Sequence, residues 1–311
     1  MVARLLADGH RVRGLVLPGD PLRARLDGTG CEIVEGDVRD APSLTRAASG
    51  VDVVLHLAAV ILARDPGDYD AINRRGTANM VAAAAAARVR HFVYVSSASV
   101  VYPRLTPYGQ SKLDAEGLVA RAGVFEHTIV RPTLVYDETG GQEFALFHQY
   151  LRRFPVVPFI GSGSSLKRPV HADDVVDGLA RIVGNPVCYG QTYNLSGGEA
   201  ITLADLGKLI LRLDGLERPF LRVPVPVCRV VATVLGWFMK NPPITPYAIA
   251  GFMNDANLDP SAAVADFGYQ PRGVRAGLSA CLGTGSSPTA NIIPARRYDA
   301  RPTHIPDGRS P

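Results

Sequence analysis

Only four of the 311 residues are lysine, only four are cysteine, and no apolar run is long enough to cross a bilayer. Cys31, Cys188, Cys228 and Cys281 stand far apart, with no Cys-x-x-Cys pair and no histidine cluster beside them. That pattern does not suggest zinc and suits thiols used as core filler in a reducing cytoplasm. The most apolar stretch, 230–239, has about ten residues, whereas a membrane span needs roughly twenty. It follows Arg229 and two prolines and reads as a buried helix, with a helix lying on a membrane surface as the competing reading. A charged leader with an apolar run and a small-residue cleavage site is missing, since residues 1–10 have the pattern of an amphipathic helix. Excess charge of either sign is also small. The net charge is +4, and residues 283–311 hold half of that excess, with four arginines against two aspartates. A basic nucleic-acid platform is not indicated.

What the chain does have is apolar material: 47% of its residues are hydrophobic, ample for a large buried core. Apolar β-rich runs at 11–17, 31–35, 53–57, 92–96 and 128–131 alternate with helical segments at 40–48, 68–87 and 107–122. Strands without polar alternation belong in a parallel sheet covered on both faces, so the alternation predicts a doubly wound α/β fold. The alanine run 82–87 favours the second of those helices. Past residue 140, helices near 142–152, 172–184, 202–213 and 226–239, with short strands near 156–160, 191–195 and 220–223, predict a smaller mixed α/β lobe. The expected organisation is a sheet domain over 1–140, a second lobe over 141–282, and a disordered tail over 283–311, where periodicity is lost.

Short motifs punctuate this pattern in a fixed order. Gly36-Asp37-Val38-Arg39-Asp40 follows the second strand run, and His56-Leu57-Ala58-Ala59 closes the third. Asn73, Gly76, Thr77 and Asn79 mark the next helix, and Ser96-Ser97-Ala98-Ser99 ends the fourth strand run. Tyr108 and Lys112 come next, then Arg131-Pro132, Val170-His171-Ala-Asp173-Asp174, Asn194-Leu-Ser-Gly-Gly198 and Asp266-Phe-Gly-Tyr-Gln-Pro271. Spread over residues 1–282, the series resembles the extended short-chain dehydrogenase/reductase family, which includes nucleotide-sugar epimerases, dehydratases and 3β-hydroxysteroid dehydrogenases. The resemblance implies a Rossmann-like sheet and an NAD cofactor, with NADP as the alternative. It implies that Asp37 and Val38 lie at the adenine, that Leu57, Ala58 and Ala59 lie under the cofactor, that Asn73, Arg131 and Pro132 line it, and that Lys112 binds its ribose.

Tyr108 and Lys112 are four residues apart and so share one helix face. A phenol ordinarily has a pKa of about 10, and a neighbouring ammonium lowers it. The expected roles are therefore proton exchange by Tyr108, tuning by Lys112, and orientation of the substrate oxygen by Ser97, with Ser99 as the competing serine. His56 reads as a packed core histidine. Asp173 and Asp174 after His171 read as helix-start carboxylates, and no metal is expected. Arg131 is equally suited to a structural ion pair. The glycine-serine loop 161–165 lacks the lysine of a phosphate loop and is expected near substrate.

The family opens with a strand and a Gly-x-x-Gly-x-x-Gly loop that places pyrophosphate at a helix N-terminus. Residues 1–10 resemble the end of the helix after that loop. The resemblance thus implies a sheet lacking its first, central strand, with a gap of about 9.6 Å and weak dinucleotide binding. Either the true start lies upstream or the chain is a decayed form. The expected partner is a small molecule reacting at a carbinol or ketone carbon, with a nucleotide sugar first. A steroid- or flavonoid-type alcohol is the alternative, because Lys167-Arg168-Pro169 departs from the sugar-epimerase pattern and Trp237, Phe238 and 154–159 are apolar. A non-catalytic binding member is the rival of another class. Nucleic acid and a membrane span are not expected, and a homodimer is left open.

Overall fold

The structure is a computed structural model that describes residues 1–63, 65–138, 141–238, 249, 251 and 253–282. The expected tail over 283–311 lies outside the described residues, as do the side chains of Trp237 and Phe238. The chain runs through helix α1 (Val2–Ala7), strands β1 (Arg13–Val16) and β2 (Glu32–Glu35), helix α2 (Ala41–Ala48) and strand β3 (Val53–His56). A wide, π-wound segment, Tyr69–Arg75, leads into α3 (Gly76–Ala86), followed by β4 (His91–Val95), α4 (Pro107–Ala120), β5 (Glu126–Pro132) and β6 (Val135–Tyr136). Then come α5 (Gln142–Arg153), β7 (Val157–Ile160), β8 (Leu166–Lys167), β9 (Val170–His171), α6 (Ala172–Ile182) and β10 (Thr192–Leu195). The remainder is β11 (Ile201–Thr202), α7 (Leu203–Leu213), β12 (Phe220–Val223), α8 (Val225–Phe238), α9 (Ser261–Phe267) and α10 (Val274–Leu282).

Local chemistry sets the helix starts. Asp40 caps α2 by accepting from Ser43 N, Thr106 caps α4 by accepting from Gly109 N, and Thr202 does the same for α7 at Asp205 N. Pro42 and Pro107 sit in first turns, where a missing N–H is harmless. The centre of the sheet is β4, whose residues alternate between two cores. Phe92 and Tyr94 face Leu44, Ala84 and Val119 on one side, while Val93 joins Val130, Leu179 and Tyr193 on the other. Burying each large apolar side chain contributes roughly 1.5–3 kcal/mol, which is why this strand carries no outward polar face.

All strands of the main layer are parallel, but they form two ladders, β2-β1 and β3-β4-β5-β10. Among the described residues no strand joins β1 to β3. The chain therefore adopts a Rossmann-like sheet interrupted at its centre. Met1 packs with Val53 and Leu55 of β3 against the second core, and Arg4 ties α1 to Asp177 of α6 at 2.5 Å.

Two expectations change. Residues 141–282 do not form one block, because β10 extends the first sheet beside β5, and α6 and α9 cover it through Leu179, Ile182 and Ala263. The edge of β5 offers free backbone groups, and β10 satisfies them. The second lobe is built instead from α5, β7, α7 and α10 around Phe144, Leu151, Phe159, Leu206 and Leu278. The other change is α8. Cys228 and Ala232 on its inner side meet Ile160 and Ile249, but Val227, Val230, Val231 and Val234 are exposed, so the expected buried helix is covered on one side alone.

Candidate active site

Parallel strands place their C-terminal ends at one edge of a sheet, where ligands bind in open α/β folds. At that edge of β4 the chain turns through Ser97, Ala98 and Ser99 and re-enters as α4. The start of α4 comes close to this turn because residue 109 is glycine: a Cβ there would lie 2.8 Å from Ser99 O. Tyr108 is thereby held against the serines. The Ser97 side chain acts on its phenol, opposing the rise in its pKa, and Ser97 Oγ accepts from Ser99 N at 3.1 Å and Ser99 Oγ at 3.0 Å. Of the two candidate serines, Ser97 meets the phenol and Ser99 stands behind it.

Lys112 lies one turn further along α4, almost completely buried. Its Nζ donates to Val95 O at 2.6 Å and sits 4.4 Å above the Tyr94 ring. Burial pushes its pKa down to about 7, against an opposing pull from the Glu116 carboxylate. The expectation that Lys112 makes the phenol acidic is corrected here. Tyr108 has a raised pKa, first through burial and then through the charge of Glu143, and Ser97 only partly offsets them. The Lys112 ammonium is directed to Val95 O instead.

The residues expected at the cofactor divide into two groups. Leu57, half exposed, and Ala58 lie open just past β3, with Ala59 partly covered. Asp37 follows β2 and holds Arg39 through both carboxylate oxygens. Although burial acts to raise the Asp37 pKa, the hydrogen bonds from Arg39 prevail and lower it. Val38 is buried under α3, where Gly76 permits contact, since a Cβ would stand 2.6 Å from Val38 Cγ2. Asn79 Nδ2 donates to Val38 O at 2.9 Å.

Asn73 and Arg131 are committed elsewhere. Asn73 is fully buried; its Oδ1 accepts from Val60 N at 2.8 Å, and its Nδ2 donates to Val60 O and Ser111 Oγ, each at 3.0 Å. It braces the loop after β3 rather than facing a ligand. Arg131 forms a two-pronged pair with buried Glu116, Nε to Oε1 at 2.9 Å and Nη2 to Oε2 at 2.6 Å. Its guanidinium thus clamps β5 to α4, while Pro132 is buried at the strand end. Asn73 has both amide hydrogens placed inside the protein, whereas the Arg131 guanidinium spends two of its five N–H donors on Glu116.

Both histidines have internal partners. His56 Nε2 lies 3.0 Å from Thr77 Oγ1, and burial followed by the Lys112 charge lowers its pKa to about 3. His171 caps α6, its Nδ1 accepting from Asp173 N at 3.1 Å. In neutral His171 the proton is therefore on Nε2, and although Glu138 and Cys281 lie close by, that nitrogen has no lone pair for a metal in this arrangement.

Three cleft residues carry no signal in the sequence. Tyr69 places its ring 6.2 Å from that of Tyr108 and donates from its hydroxyl to Ile61 O. The Tyr102 phenol is pushed up to about 12 by burial and then by Glu143. Glu143, in the first turn of α5, is exposed, while the protein packed around it raises its own pKa against the pull of Lys167. It brings the second lobe to the phenol.

Comparison with known proteins agrees with this geometry. Residues 1–153 match the NAD(P)H-binding family model. A 2-alkyl-3-oxoalkanoate reductase from Shewanella oneidensis is 27% identical, over 86% of this chain and 77% of that protein. A ceramide reductase from Caulobacter vibrioides is 33% identical over 60% of this chain, and the match spans 57% of that protein's length. A dTDP-glucose 4,6-dehydratase from Streptomyces venezuelae, solved with NAD bound, superposes with a TM-score of 0.70 at 22% identity, over 90% of this chain and 91% of that one. Sheet, strand-end site and matches define an NAD(P)-binding oxidoreductase of the α/β class. Residues 1–153 carry an NAD(P)H-binding domain, and the chain is similar to NAD(P)-dependent reductases and dehydratases.

Proposed function

We propose that this chain is an NAD(P)-dependent reductase or dehydrogenase acting at the ketone or carbinol carbon of an apolar, alkyl-bearing substrate. The observation that carries the reading is the juxtaposition of Ser97 and Tyr108 at the C-terminal end of β4, where Gly109 lets α4 approach the serine turn, with Lys112 one turn behind. A ketone oxygen placed there would accept from both hydroxyls. The raised phenol pKa keeps Tyr108 protonated at neutral pH, which suits a proton donor to the alkoxide formed in reduction. Lys112 offers three N–H donors and is bonded to the single acceptor Val95 O among the described residues, so it has donors to spare for ribose hydroxyls. The open Leu57 and Ala58 backbone would lie beneath the dinucleotide, with Asp37 and Val38 toward the adenine. Bound there, the nicotinamide supplies or takes the hydride.

The alkyl-bearing substrate is supported by the names of the two sequence relatives, reductases of a 2-alkyl-3-oxoalkanoate and of ceramide. A nucleotide sugar, first among the sequence expectations, draws support only from fold likeness at 22% identity. The test follows NAD(P)H oxidation by the full chain with a long-chain 2-alkyl-3-oxo acid. Tyr108→Phe is expected to lower kcat by about a hundredfold or more with cofactor affinity unchanged. Wild-type turnover in that variant would end the proposal.

A further inference from the structure

Segment Tyr69–Arg75 is wound as a π-helix, a winding that is rare and frequently found at functional sites. It brings two side chains to the loop that follows β3. Tyr69 Oη donates to Ile61 O at 3.1 Å and accepts from Ala63 N at 3.2 Å. Asn73 pairs with both backbone groups of Val60 and, with its second amide hydrogen, reaches Ser111 Oγ at 3.0 Å. Because Val60 offers that amide both an N–H and a carbonyl, only one orientation of the amide satisfies them. Ser111 lies on α4, 5% exposed and 38 residues beyond Asn73 in the chain. Its oxygen receives the Asn73 amide hydrogen, so its single hydroxyl proton is left for Tyr108 O, at 2.8 Å.

A directed chain of buried hydrogen bonds thus runs from the loop after β3 to the carbonyl of the residue that carries the phenol. A serine hydroxyl turned back on the carbonyl three residues earlier is common on helices. This one differs because its oxygen also accepts a bond from outside α4, from a residue that is itself fully buried. The Tyr69 ring lies 6.2 Å from the Tyr108 ring, so the π-wound segment meets Tyr108 a second time. In the proposed reaction the dinucleotide lies over Leu57 and Ala58, while the proton leaves Tyr108. Those positions belong to different elements, the loop after β3 and the start of α4. Hydride and proton must reach the same carbonyl group, and a displacement of about 1 Å between their donors can slow such a step by about a hundredfold.

We propose that Ser111 is a positioning residue that, through Asn73, holds Tyr108 in register with the loop beneath the cofactor. Its kinetic consequence rests on the reductase reading, but the coupling itself can be measured without turnover. Ser111→Thr keeps the hydroxyl, Ser111→Val has the same shape without it, and Ser111→Ala removes it without adding a methyl group. In the full chain without cofactor, hydrogen exchange at Val60 N–H is expected to be about fivefold faster in Ser111→Val and Ser111→Ala than in wild type. Ser111→Thr should stay near wild type. With NAD(P)H and a long-chain 2-alkyl-3-oxo acid, Ser111→Val and Ser111→Ala should lower kcat by about tenfold or more and leave the cofactor KM within about twofold. The isotope effect from cofactor deuterated at the transferred position should rise in both and return toward the wild-type value in Ser111→Thr. Equal Val60 exchange in wild type and Ser111→Ala would overturn the proposal. Faster exchange with kcat and isotope effect unchanged would overturn it too, reducing Ser111 to a brace of the fold. If the wild type shows no turnover, the reductase reading fails instead, and Val60 exchange decides the coupling on its own.

Discussion

Replacing Lys112 with methionine removes a buried ammonium and keeps a side chain of similar length. In the folded chain this group has a pKa of about 7 instead of 10.5, chiefly because burial strips water from the charge, with Glu116 pulling the other way. At about 1.4 kcal/mol per tenfold change in proton affinity, the drop corresponds to about 5 kcal/mol of folding free energy lost to the charged form. Below the folded value of about 7, folded and unfolded chains both carry the proton and the whole penalty is present. Between that value and 10.5 the unfolded chain holds the proton and the folded one does not, so wild-type stability rises with pH. Above 10.5 neither holds it and the penalty is gone. The variant lacks this slope, so it should be the more stable protein below neutral pH, by about 2–4 kcal/mol after loss of the Val95 O bond and the Tyr94 ring contact. Because the lost contacts count at every pH, the two stability curves should cross between about pH 7 and 10.5, with the wild type the more stable protein above the crossing. Urea unfolding followed by circular dichroism across this range measures the difference directly. Parallel curves, or a variant less stable than wild type at neutral pH, would refute the assignment of a strained, desolvated ammonium.

Arg131→Ala would leave the Glu116 carboxylate buried without its partner, and about 3–5 kcal/mol of stability should be lost. The unfolding midpoint should fall while the cofactor dissociation constant of the folded variant stays within about twofold, because the guanidinium clamps rather than binds. Glu143→Gln removes a negative charge that, after burial, disfavours the phenolate of Tyr108. The high-pH limb of kcat/KM should therefore move to lower pH, and an unmoved limb would place Glu143 outside the electrostatics of the reacting oxygen.

The parts of this molecule that could be read from the sequence are those in which local signals and burial agree. β4 was visible because its residues are apolar on both faces, and α4 because Thr106 and Pro107 announce a helix start directly after the serine turn. The junction of β10 with β5 was not visible, since strand pairing across some sixty residues depends on which edge is left free, and no local pattern encodes that. The motifs around Asn73 and Arg131 imply cofactor contacts, and Arg131 equally suits an ion pair, which it forms with Glu116. Their side chains show the other way in which a motif serves a site, by fixing the backbone that forms it. Glu143 had no signal at all, because an acidic residue in the first turn of a helix is ordinary and only the packing of the second lobe turns it toward Tyr108. The outer face of α8 escaped for a related reason: apolar composition says that a surface prefers to leave water, not what covers it.

The polar residues of α4 connect these observations. Tyr108, Lys112 and Glu116 are spaced four apart and form one row along the helix. Each has its partner on the sheet: Ser97 beyond β4, Val95 O at the end of β4, and Arg131 on β5. A slide of α4 by one turn would break all three contacts together, leaving a buried ammonium and a buried carboxylate unpaired, so neighbouring registers are excluded by more than any single contact could supply. The position of the phenol is therefore fixed in part from the far end of the helix, by the Arg131–Glu116 ion pair. On this view the acidity of Tyr108 and its location have separate origins. The first comes from burial and Glu143 in the second lobe, and the second from Glu116 and Arg131 in the first, so the two lobes can alter one without disturbing the other.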